Sequence, residues 1–404
     1  MRQVVKRGNS RTFAVGLAVA VLGLAACGDG GSSSSAAKGD TELVIGSIFA
    51  TSGAATQPAY VNGVKMAVQE INDAGGIDGT KVVLKEYDDA LDAQKAVSAA
   101  RLAVKDKVDV IIGSATVVQT NAIADIFKKA GIPYINMSSS TPVALDESLG
   151  SETTFRMVTA QPEQIHGAVQ WIQDELKPTN VGLMGLAADF GKDALPRFKA
   201  PLEKGGVKIV NERLYPQGTA DLTNEMLAMK GSDLVVNWAY PPDLALALKT
   251  AVQMDLGEVP LLSAGSASLV NSMKLVDVAL QKNLYGTAAC DPVSDDRAHV
   301  QAWAAKFKGE FNALADYASA VAYDAVNLAV AAGNEGGGHD SKSIAEGLKT
   351  VTFNDNTMCA TEYKSDDRHE LMHEAVIVNF EGGNPKLVAK YTADKLMGQG
   401  SKQG

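Results

Sequence analysis

His369-Glu370-Leu371-Met372-His373 has the residue types and spacing of a catalytic zinc site. On a helix, histidines four apart share a face, and the glutamate between them sits beside a metal-bound water. Its surroundings argue against that helix. Lys364-Ser365-Asp366-Asp367-Arg368 is a polar loop, a strand-like run, Glu374-Ala-Val-Ile-Val-Asn-Phe380, follows at once, and no later helical segment offers a third ligand. We therefore expect no metal here. Gly336-Gly337-Gly338 lacks the Lys-Ser/Thr that cradles a phosphate and reads as a loop before Ser341. No Gly-x-Ser-x-Gly elbow occurs, so serine hydrolysis has no nucleophile to nominate. The expectation is a protein that is not an enzyme and carries no cofactor.

The remaining reactive groups are three cysteines, Cys27, Cys290 and Cys359. Arg2, Lys6, Arg7 and Arg11 precede the apolar run Phe13 to Gly23, which is too short to span a bilayer and reads as an export signal. Leu24-Ala25-Ala26-Cys27 then resembles the lipobox of bacterial lipoproteins. That resemblance implies cleavage before Cys27 and a diacylglyceryl chain on it, the alternative being an ordinary secretory signal. Residues 1–26 would be the leader, and 27–41, rich in Gly and Ser, a flexible tether. The expected location is the cell envelope, lipid-anchored at the outer face of the cytoplasmic membrane or in the periplasm.

The net charge of −10 includes the four basic residues of the leader, so the exported part is more acidic still. An acidic chain without a basic stripe is a poor nucleic-acid ligand. Its anchor cannot be a polybasic patch on anionic lipid.

Beyond residue 42 the chain is longer than one core usually supports, and strand and helix patterns alternate throughout. Leu43 to Ile48, Lys81 to Tyr87, Val108 to Gly113 and Ile132 to Asn136 read as strands, with helical spacing between them. A second series after Arg156 has helices at 161–176, 191–204, 242–255 and 266–280, and strands at 179–184, 207–214, 232–238, 259–263 and 284–289. The region 299–332 reads as helical, and residues 374–380 and 386–391 as a hairpin. Such repeated units build parallel sheets covered by helices, with ligands at the carboxyl ends of the strands.

Several runs in order carry a family resemblance: Ile45-Gly46 with Thr51-Ser52-Gly53, Gly63, Ala67 to Gly79, Asp88-Asp89, Ile112-Gly113, Gly131-Ile132-Pro133, Phe155-Arg156 and Tyr323-Asp324-Ala325. Together they resemble the type I periplasmic binding proteins, in particular the branched-chain amino acid (Leu/Ile/Val) binding family of ATP-driven importers. The resemblance implies an α/β fold of two Rossmann-like lobes, each a parallel sheet flanked by helices, joined by a three-segment hinge. The implied lobes are 42–157 plus 292–358 and 158–291 plus 359–395, with a tail at 396–404. Crossings would fall near 156–159, 289–293 and 357–362. Cys290 and Cys359 lie beside two of these, so a disulfide is expected; two small buried thiols that never meet are the alternative.

The same resemblance places a ligand carboxylate among hydroxyls and backbone donors of the first lobe. The positions here are Thr116, Val117, Ser138, Ser139 and Ser140, with valine where serine is usual. A serine run before Pro142 is also ordinary turn chemistry. From the second lobe come Phe190, Tyr240 and Gly265, with packing in the core as the alternative for the two rings. Amino-acid binders of the family have an acidic residue near Gly265 that pairs with the ligand ammonium, whereas residues 260–274 contain none. An unpaired buried ammonium costs several kcal/mol, so an α-amino acid is disfavoured and a carboxylate or amide without one is expected. The implied partners are a permease and an ATPase of an ABC importer, with the binding protein itself a monomer. A sensor feeding a signalling partner through the same hinge is the alternative.

Overall fold

A computed structural model describes residues 42–53, 56–139, 152–265 and 273–392. The expected leader, tether and tail, with Cys27 and Ser140, lie outside these residues. In the first lobe, β1 (Leu43–Phe49), α1 (Pro58–Asp73), β2 (Val82–Asp88), α2 (Ala93–Lys105), β3 (Val110–Gly113), α3 (Val117–Ala130), β4 (Tyr134–Asn136) and β5 (Thr154–Arg156) follow in order. The five strands pair in parallel in the order β2-β1-β3-β4-β5. Local chemistry fixes the ends of the helices. Gly75 and Gly76 after α1 have φ of 106° and 78°, and a Cβ on Gly76 would meet the Thr80 carbonyl at 2.1 Å. Asp92 caps α2 by accepting from Lys95 N–H.

The second lobe runs through α4 (Gln161–Trp171, continued by a π turn over Ile172–Leu176), β6 (Asn180–Leu186), α5 (Asp189–Lys204), β7 (Lys208–Tyr215), α6 (Thr223–Ala228), β8 (Leu234–Trp238), α7 (Pro241–Gln253), β9 (Leu261–Ser263) and β10 (Leu284–Ala288). The chain then returns through α8 (Ala298–Phe311), α9 (Tyr317–Glu335) and α10 (Ser341–Thr350), and a short ladder of β11 (Thr352–Phe353) with β12 (Tyr363–Lys364). It ends in the hairpin β13 (Ala375–Glu381) and β14 (Asn384–Tyr391), antiparallel to β10 at the edge of a seven-stranded sheet ordered β14-β13-β10-β9-β8-β6-β7.

One apolar core joins β1 and α1 to α8, α9 and α10, and another joins α4, α5 and α7 to the second sheet. Tyr317 packs against both.

Three sequence expectations need adjustment, and one helix, α6, answers to none. The helical region 299–332 is two helices, broken at Asn312 (φ 50°) and restarted by a capping box between Asp316 and Ser319. The expected helix 266–280 lies partly outside the described residues; in its described end Met273 is helical and Val278–Leu280 form a 3-10 turn. Helix α6 has a single buried residue, Met226, and so little periodicity to read. Finally, the first core runs through Cys359, Ala360, Tyr363, Leu371 and Met372, and the second resumes at Ala375. Core membership thus changes between Met372 and Ala375, and we place the third crossing there. Tyr363 and Leu371 are too widely spaced among polar residues to announce a core segment.

Cys290 and Cys359 are joined by a disulfide with Cα atoms 5.3 Å apart, and both belong to the first core.

Candidate functional site

Every described candidate residue follows the carboxyl end of a sheet strand, either in the loop or at the start of the next helix. In the first lobe, β3 delivers Thr116 and Val117, and its neighbour β4 delivers Ser138 and Ser139. Thr116 is the N-cap of α3, yet its side chain makes no capping bond, and its Oγ1 is buried without a partner. A buried hydroxyl without a partner is costly, so a polar ligand atom is what would complete it. Val117 opens α3, whose first-turn N–H groups favour an anion. Ser138 N–H donates to Asn136 Oδ1 at 3.0 Å, which turns the chain out of the sheet. The Ser139 carbonyl accepts from Arg156 Nη1 at 2.8 Å and from Gln161 N–H at 2.8 Å. This loop thereby touches both lobes.

In the second lobe Phe190, Tyr240 and Gly265 follow the neighbouring strands β6, β8 and β9. The ring of Phe190 stacks on Tyr240 with centroids 5.0 Å apart and on Trp238 at 5.8 Å. Phe190 and Trp238 are buried in the second core, so Tyr240 is the partly exposed ring of this aromatic wall, the one that suits an apolar ligand surface. Burial raises the Tyr240 hydroxyl above the usual phenol value, so it serves as a neutral hydrogen-bonding group. A Cβ on Gly265 would stand 3.2 Å from the Thr287 carbonyl, 3.8 Å from Gln164 Oε1 and 3.9 Å from the Tyr317 hydroxyl. Tyr317 in turn hydrogen-bonds Tyr60, and burial raises both hydroxyls.

Sequence reasoning passed over the groups that knit this edge together. Gln161, fully buried, accepts from Trp238 Nε1 at 3.1 Å and donates to the Phe190 carbonyl at 3.3 Å and to Asp193 Oδ2 at 2.9 Å. Gln164 accepts from Thr287 Oγ1 at 3.2 Å. The sequence of α4 carries no signal for them, since Glu163, His166 and Gln170 are polar too.

His369-Glu370-x-x-His373 forms no helix: His369 has φ of 57°, and Glu370 bridges to Arg156 beside β5. No group of metal-binding side chains occurs among the described residues. Nor is any described helix long and apolar enough to cross a membrane.

Comparison with known proteins places this geometry among relatives. A family model described as "Periplasmic binding protein" matches residues 42–384. The Leu/Ile/Val-binding protein homolog 3 of Brucella melitensis is 28% identical over 335 residues, 78% of this chain and 88% of that one. The Leu/Ile/Val/Thr-binding protein of Salmonella typhimurium is 27% identical over 189 residues, covering 46% of this chain and about half, 51%, of its own length. The substrate-binding protein LivJ of Streptococcus pneumoniae, solved with isoleucine, superposes with a TM-score of 0.76 at 24% identity, over 87% of this chain and 99% of that one. The leucine binding protein LivK of Thermotoga maritima gives 0.77 at 20%, over 87% and 99%.

Proposed function

Because this chain belongs to the periplasmic binding protein family, we propose that it is the extracytoplasmic solute receptor of an ABC importer. It captures a small polar organic molecule between its lobes and hands it to a membrane permease driven by a separate ATPase. The observation that carries this reading is the pairing of two carboxyl-end edges across one hinge. One edge offers the unpartnered Thr116 hydroxyl and the start of α3, and the other an aromatic wall. Ligand would stabilise the closed arrangement, which the permease recognises.

The ligand we infer has a carboxylate or amide but no α-ammonium. The groups around Gly265 are a carboxamide, a phenol and a backbone carbonyl, and residues 260–274 carry no carboxylate. Isothermal titration is expected to find little binding of leucine, isoleucine or valine, and binding of some aliphatic acid, aromatic acid or amide. Micromolar leucine would overturn it. With the compound so identified, Thr116→Val should weaken binding roughly tenfold or more, the loss expected for one hydrogen bond to a charged group. The lipid anchor belongs to the same proposal: Cys27→Ala should release the protein from membranes or leave an unprocessed precursor, and an unmodified N-terminus on the mature native protein would rule the anchor out.

A further inference from the structure

Six charged side chains meet where the first and third crossings run together, and capture of a ligand requires none of them. Arg156, at the end of β5, is 5% exposed and lies 3.3 Å from the Glu370 carboxylate, itself 7% exposed. Glu163 comes from the other lobe, in the first turn of α4. It accepts from His373 Nδ1 at 3.0 Å and from Arg368 Nη2 at 3.3 Å. Asp366 accepts from Arg368 Nε at 2.9 Å and lies 3.9 Å from His373 Nε2.

Three carboxylates and two guanidiniums leave one negative charge uncompensated. Unpaired buried charge is costly, so the cluster favours a proton on its imidazole. Burial by itself pushes His373 down, but the hydrogen bond and field of Glu163, then Asp366 and Glu370, outweigh it and hold the imidazole above its ordinary value. Burial also raises Glu370, to about 6. The Glu370 carboxylate is one of the charges whose field acts on His373. Arg156 carries the state of the cluster towards the cleft, because its Nη1 holds the Ser139 carbonyl.

We propose that this cluster is a proton-operated brace on the hinge. With His373 charged, Arg368 and His373 hold Glu163 and α4 against the first lobe, and Arg156 keeps the Ser139 loop seated. With His373 neutral the grip on Glu163 weakens and the contact between lobes loses favour. The brace regulates the cleft described above and rests on the two-lobed capture reading. His373, Glu163 and Arg368 are positioning residues, since the contacts recorded for them lie within this cluster.

The test uses the full chain without ligand, so a failed ligand screen would overturn the capture reading and leave this result standing by itself. NMR of the imidazole C–H signals, with His373 assigned by its loss in His373→Gln, should show it titrating above a free imidazole. Glu163→Gln should lower that pKa by about one unit or more, as expected for removal of an adjacent opposite charge. Arg368→Gln, at a half-buried position, should raise it. Small-angle scattering should give a larger radius of gyration at pH 8.5 than at pH 6 in the native protein and no such change in His373→Gln. An unmoved His373 titration in Glu163→Gln, or the same radius at both pH values in the native protein, or an undiminished change in His373→Gln, would overturn the brace.

Discussion

Asp324 shows how one buried carboxylate can organise a segment of the first core. It accepts from Met358 N–H at 2.8 Å, from Cys359 N–H at 2.9 Å and from the Tyr363 hydroxyl at 2.8 Å. Burial, opposed by those hydrogen bonds, raises it to about 6. A folded-state pKa above the unfolded value of about 3.9 means that the group contributes stability below about pH 4 and loses it as pH rises through about 6. Glu370, also at about 6, acts in the same direction. Denaturant midpoints between pH 4 and 7 should therefore carry a falling contribution that Asp324→Asn removes. Asp324→Ala should cost on the order of 3 kcal/mol at pH 7, since it leaves buried donors unpaired. A neutral result would show that water replaces the carboxylate.

Among the elements, the packing of α1 on α9 explains why a glycine stands in the middle of a helix. A Cβ on Gly63 would lie 2.2 Å from the Ser319 carbonyl oxygen and 3.1 Å from Ala322 Cβ. Helix propensity alone would favour alanine by about 1 kcal/mol. Overpacking against backbone typically costs about 1–3 kcal/mol, and 2.2 Å is far inside contact, so packing should win. Gly63→Ala is expected to lower the melting temperature, and Gly309→Ala, where a Cβ would meet nothing within 4 Å, to leave it unchanged or raise it slightly. The reverse order would mean that α1 and α9 can separate freely.

For the whole molecule, the disulfide matters through the chain it encloses. Cys290 and Cys359 are 69 residues apart, and α8, α9 and α10 lie between them. The bond fastens both ends of that returning segment to the first core, leaving the second lobe untied. Closing a loop of that size stabilises by about 4 kcal/mol in the chain-entropy model. Cys290→Ser with Cys359→Ser should therefore lose up to about 4 kcal/mol in chemical denaturation while keeping ligand affinity within a few-fold. Loss of binding with unchanged stability would place the bond in the capture step itself.

The sequence by itself determined the alternation of strands and helices, the family and its fold, and the strand ends where a cleft must form, because hydrophobic period, helix caps and turn glycines are local properties. Gly75-Gly76 and Asp92 could be read where they stand. It also placed Thr116, Ser139, Phe190, Tyr240 and Gly265 at strand ends. Only the tertiary structure decided what those residues meet. Arg156, Glu163 and His373 are far apart in the chain, and nothing local to any of them says that they meet in one cluster. We place the third crossing between Met372 and Ala375 for the same reason: membership of a core is set by neighbours distant in sequence. Gln161 and Gln164 look like ordinary helix residues until the fold buries them between loops of both lobes, where unsatisfied amides would be costly. Local order follows from the chain's own repeat, whereas charge pairing, burial and polar satisfaction depend on which distant segments the fold brings together.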